Sequence, residues 1–187
     1  MKLHKVYSRF LAAGAGLCMF LVFSVVLINA VRRYTIGQSL IWGEEFPVFL
    51  AVYGVMFGMA WAYLDDHHVN FSLLSGLFND KINQWLGMLT DTIVLVVGVM
   101  LAWSGVLFVA KRGKIEASGM RYFAEDLSNW TGLQKISLLG KLYPYQSAIV
   151  VGGILLALAA ALRLTMRLAD QQQVNDSAVH IIEGGVD

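Results

Sequence analysis

Residues 10–31 read FLAAGAGLCMFLVFSVVLINAV, 22 residues without one charged side chain. A helix rising about 1.5 Å per residue needs about 20 apolar residues to cross a hydrocarbon core roughly 30 Å thick. The run is long enough, and it lacks the alternating polarity of a membrane barrel strand. Inside lipid the backbone polar groups must be satisfied within the segment, which leaves a helix as its form. Three more stretches follow the same rule: residues 46–64 and 142–162 are uncharged, and residues 82–110 carry one charge, Asp91. The chain therefore reads as an all-α integral membrane protein with four transmembrane helices, about 10–31, 46–64, 82–110 and 142–162. They form one membrane domain over residues 1–169, followed by a polar, flexible tail over 170–187.

Composition agrees. Of the 187 residues, 57% are hydrophobic and only 14% charged, against about 25% charged in an average soluble domain. Mean hydropathy is +0.62. A disordered chain would be less apolar. A single cysteine cannot staple a fold, and a net charge of +1 offers nothing to nucleic acid. Lys2, Lys5 and Arg9 before the first apolar run resemble a signal sequence. That run exceeds the roughly 7–15 residues of a signal core, and Ile28-Asn29-Ala30 is not a small-x-small cleavage site, so it reads as a retained span.

The connections suggest segments lying on the membrane. Residues 65–81 open with Asp65-Asp66-His67-His68, and Phe71, Leu74, Leu77 and Phe78 then recur near one helical face, as in an interfacial amphipathic helix. Residues 111–141 interleave basic side chains with Tyr122, Phe123, Trp130 and Leu133 and suggest a second such segment. Four spans put both termini on one side. That side would hold six basic residues (Lys2, Lys5, Arg9, Lys81, Arg163, Arg167) and the other eight, while the start of the first helix argues the opposite way; charge counting leaves the orientation open.

Few residues point to chemistry. His4, His67, His68 and His180 all lie outside the spans, so no histidine pair faces another across the bundle as a haem anchor requires. No phosphate loop, metal-ligand spacing or nucleophile motif is present, and no catalytic, cofactor or metal site is expected. Asp91 is the one ionisable residue well inside a span, costly enough to require a partner or a function. It reads as a structural polar contact between helices, with an ion relay as the alternative. Gly54 and Gly58 form a GxxxG pair, and Gly153, Ala157 and Ala161 repeat the spacing; such faces let backbones approach in lipid. In the first loop, Arg33 closes one helix and Glu44 and Glu45 open the next, each favoured by the helix dipole. Both ends return to one membrane face, so Arg33 can also pair with Glu44 or Glu45, or present its charge to a partner.

Arg33-Tyr34, followed by Gly37-Gln38-Ser39-Leu40-Ile41-Trp42-Gly43-Glu44-Glu45, resembles the signature of the small membrane subunit of TRAP transporters, the DctQ type. The stretch from Ala62-Tyr63 to His68-Val69 is similar to that family's short connection with its His-Val pair, and the length and four spans match. The resemblance implies a small scaffold subunit of a secondary transporter in the bacterial inner membrane, with both termini cytoplasmic. It implies two protein partners: a large permease subunit, which carries the substrate with sodium, and a periplasmic substrate-binding protein. Family substrates are organic acids such as sialic acid or four-carbon dicarboxylates. The small subunit would hold no cofactor and perform no enzymatic step; Arg33, Tyr34, Trp42, Glu44, Glu45, Gly54, Gly58, His68 and Asp91 would be its structural or partner contacts, with lipids around them. The alternative is a self-sufficient oligomeric transporter or channel that uses Asp91.

Overall fold

The computed structural model describes residues 2–65, 80–132 and 138–183. In chain order come α1 (Lys2–Ile36), a 3-10 turn (Ile41–Gly43), α2 (Glu45–Asp65), α3 (Asp80–Arg112), α4 (Ser118–Thr131) and α5 (Tyr143–Glu183). Four segments are long and apolar enough to cross a membrane: His4–Ile36, Ile41–Asp65, Ile82–Arg112 and Tyr143–Ala169. The protein is all-α. Most of the connection expected to hold the first interfacial helix, including His67 and His68, lies outside the described residues.

Local chemistry sets the helix ends. Both prolines, Pro47 and Pro144, sit in the first turns of α2 and α5, where a missing N–H costs no helical bond. Gly37 (φ 75°) and Gly132 (φ 71°) take the left-handed conformation that ends α1 and α4, each returning its N–H to a carbonyl four residues back. α5 continues to Glu183, through most of the segment read from the sequence as a polar tail. Residues 170–183 are polar, but they contain neither proline nor glycine, so nothing in them interrupts a helix.

The helices pack in the order α1, α2, α5, α3, each against the next. Small residues set every seam. Gly54 and Gly58 of α2 face Cys18 and Ala15 of α1, and Phe10 meets Phe57 edge-on at 6.0 Å beside them. Between α5 and α3 the approach is closest. A Cβ on Gly98 would lie 2.8 Å from the backbone nitrogen of Ala157, and one on Gly153 would lie 2.8 Å from the Cα of Ala102. Where α1, α2 and α5 meet, Leu11, Ala60, Leu64, Leu155 and Ala159 form a buried core, and the Tyr7 hydroxyl donates to the Leu155 carbonyl at 2.9 Å. Tyr53 of α2 donates to the Pro144 carbonyl and contacts Ser147 Oγ at 2.8 Å, tying α2 to the start of α5. The outer faces of α1 and α3 remain broadly apolar and uncovered; Met100 and Trp103 of α3 are 66% and 69% exposed.

α4 is the surface segment expected between the third and fourth spans. Its Met120 and Ala124 are buried, while Tyr122 and Trp130 face outward. It docks over the first-loop end of the bundle, where Trp42, Phe46, Phe49, Phe123 and Tyr145 surround Met120 and Ala117. Phe49 stacks on Tyr145 at 3.9 Å, and Trp42 meets Phe123 at 5.1 Å.

The glycine seam gives a direct expectation. Gly153→Leu would drive a side chain into the α3 backbone, and overpacking of this kind costs about 1–3 kcal/mol. Gly16 has open space around its Cβ position, so Gly16→Ala is expected to be neutral or mildly stabilising through helix propensity. Thermal unfolding of the purified chain in detergent checks both; equal melting temperatures for the two variants would contradict the seam.

Candidate functional site

Asp91 is the buried charged side chain among the described residues, 1% exposed. It sits on the α3 face that meets α5, one turn after Gly87. Three side chains converge on it. Tyr63 of α2 donates its hydroxyl to Oδ1 at 2.5 Å, and Arg163 of α5 holds Nε 3.6 Å from the same oxygen. Arg167, one turn further along α5, places Nε 2.7 Å from Oδ2, a charge contact out of line for a hydrogen bond. Arg163 also donates from Nη1 to the Tyr63 carbonyl at 2.8 Å and lies over the Tyr63 ring, 4.9 Å from its centre. That carbonyl belongs to the last turn of α2, where no helical N–H remains to satisfy it. Arg163 thus caps α2 and compensates Asp91 with one guanidinium.

Gly87 makes room for the cluster. A Cβ there would collide with the Arg167 guanidinium, which lies across the gap. The arrangement has the properties of a three-helix lock. A carboxylate brought out of water is stabilised when its charge is paired and hydrogen-bonded; here α5 pairs the charge and Tyr63 of α2 hydrogen-bonds Oδ1, while Oδ2 has the Arg167 charge beside it.

The opposite end of the bundle centres on Glu45. Its Oε2 accepts the N–H of Gly119 at 3.0 Å, in the first turn of α4. The residue preceding that helix is Ala117, which has no side chain able to cap it. Glu45 therefore supplies from α2 the acceptor that α4 lacks, and brings negative charge to the positive end of its dipole. Next to it the Asn29 side-chain oxygen accepts the Leu40 N–H at 2.8 Å and fixes the first loop. On the outer surface of α4, Arg121 bridges Glu116 and Glu125 at 3.0 Å each, and hydrogen bonds first to Glu116 and then to Glu125 raise its pKa. All three are exposed, so the network contributes little to stability.

The expected pairing of Arg33 with Glu44 or Glu45 does not form: no ion pair among the described residues joins them. Glu45 turns toward α4, while Arg33, Tyr34 and Glu44 face outward. Trp42 packs under α4, and Gly54 and Gly58 lie in the α1 seam. Asp91 takes the interhelical contact expected of it. The spacing left Arg163, Arg167 and Tyr63 unassigned. The available signal was the i, i+4 repeat of Arg163 and Arg167 at the end of one span, at a depth matching Asp91 in an antiparallel neighbour.

Two substitutions test these contacts. Read as an ordinary interhelical hydrogen bond, Asp91 would tolerate asparagine at a cost near 0.6 kcal/mol. With two guanidiniums facing it, Asp91→Asn leaves both without a countercharge, and a loss approaching about 3–5 kcal/mol is expected. Unfolding in detergent reads this, and Arg163→Gln combined with Asp91→Asn should recover part of it. At the other end, Glu45→Ala should loosen α4 by about 1 kcal/mol, the usual worth of a helix cap. Faster hydrogen exchange over residues 118–131, with Glu44→Ala unchanged, is the expected pattern.

The four spans, the capped first loop and the charge-locked bundle were compared with known proteins. No curated protein matches the chain. A family model does, described as the DctQ component of tripartite ATP-independent periplasmic transporters, and it covers residues 22–170. That range takes in the second half of the first span and all of the other three, the Glu45 cap, the Asp91 cluster and α4. The chain is a multi-pass membrane protein that belongs to the DctQ family, a transporter component and not a member of an enzyme family.

Proposed function

We propose that this chain is the bracing subunit of a sodium-coupled transporter for an organic acid of the sialic acid or dicarboxylate type. Its partners are a large permease, which holds substrate and sodium, and a periplasmic binding protein, for which the first-loop end supplies part of the docking surface. The chain lies in the bacterial inner membrane with both termini in the cytoplasm, and it needs no cofactor of its own.

The observation that carries this reading is the state of Asp91. A carboxylate that relays an ion must exchange partners during the cycle. Asp91 is instead held by a tyrosine and two arginines from two other helices. Glycine seams and this lock favour a stiff frame, and the uncovered apolar faces of α1 and α3 offer surface for a larger membrane subunit. A moving transport domain needs such a fixed frame to work against.

Reconstitution separates this from the alternative of a self-sufficient oligomeric transporter. In proteoliposomes under an inward sodium gradient, the chain alone should move neither sialic acid nor a four-carbon dicarboxylate. Uptake is expected only when permease and binding protein are added. Sodium-driven uptake by the chain alone would reject the bracing role.

A further inference from the structure

The charges around Asp91 do not cancel. Two guanidiniums, Arg163 and Arg167, face one carboxylate, and Asp91 is the only described carboxylate within ion-pair reach of either. Arg163 is spent: its Nε faces Asp91, its Nη1 holds the Tyr63 carbonyl, and its side chain is only 12% exposed. Arg167 differs. It meets Asp91 through Nε, and its side chain is 34% exposed. Its place is near the end of the last span, which runs from Tyr143 to Ala169. It is therefore near the level of the lipid phosphates. Gly87 leaves room for the guanidinium between α3 and α5, and Leu86 beside Gly87 and Leu168 beside Arg167 are 42% and 46% exposed.

We infer that Arg167 holds the phosphate of an anionic phospholipid in the leaflet on the side of the termini, with the acyl chains lying along α3 and α5. Two observations converge on this occupant. The site carries one surplus positive charge. The surrounding surface is apolar and exposed, which suits acyl chains and does not suit a free anion. Asp91 acts as the positioning residue for this site, since its carboxylate holds the part-exposed Arg167 side chain at the seam of α3 and α5.

The test uses the full chain purified with its permease in neutral detergent. Phosphatidylglycerol or phosphatidylcholine is titrated in, and bound lipid is counted by native mass spectrometry. One interfacial arginine is worth about fivefold in affinity for an anionic headgroup. The wild type should prefer phosphatidylglycerol, and Arg167→Gln should lower that preference by about this factor while leaving phosphatidylcholine unchanged. Arg167→Lys should retain most of it. Equal binding of the two lipids by the wild type would overturn the proposal, as would an unchanged preference in Arg167→Gln. Displacement of phosphatidylglycerol by millimolar inorganic phosphate would mark a free-anion site and overturn it as well. Should Arg167→Gln fail to assemble, the wild-type preference decides: it must weaken as salt is raised if a headgroup charge carries it.

Discussion

The bundle depends on how closely the backbones of α3 and α5 approach. Between helices in lipid the hydrophobic effect offers no net attraction, so contact distance does the work that burial does in water. Gly98 under Ala157 and Gly153 under Ala102 bring the two backbones together along one line. The reach of the arginines follows from that approach. A guanidinium on α5 meets a carboxylate on α3 only because the axes are near, and only because Gly87 leaves the intervening space empty.

The bundle is fastened differently at its two ends. At the end of the termini the fastening is charge, with Asp91 held by Tyr63, Arg163 and Arg167. At the first-loop end it is aromatic packing under a lid helix that borrows its cap from α2. Each suits its surroundings. An ion contact gains strength where water is scarce, whereas a half-buried amphipathic helix needs an apolar underside and a wet outer face.

Much of this was legible in the sequence because the bilayer imposes a length and a polarity that composition records directly. Residues 10–31 and 142–162 announce spans without any neighbour being known. The expected surface segment in residues 111–141 was visible from its interleaved aromatics. Pairings across helices were harder to read. Glu45 shares its loop with Arg33, and proximity along the chain favoured a pair that space does not make; its true partner, Gly119, is a backbone N–H that no side-chain pattern advertises. Asp91 could be identified as needing company, but its companions lie 28 to 76 positions away and carry no local mark.

α5 is a single helix of 41 residues, of which the span accounts for the part up to Ala169. Fourteen residues separate Ala169 from Glu183, and at about 1.5 Å each they extend the rod by about 21 Å. The headgroup layer on one side of a bilayer is only some 5–8 Å thick. The same helix that carries Arg163 and Arg167 therefore exceeds the length that a hydrocarbon core requires, and its polar end is long enough to reach past the headgroups.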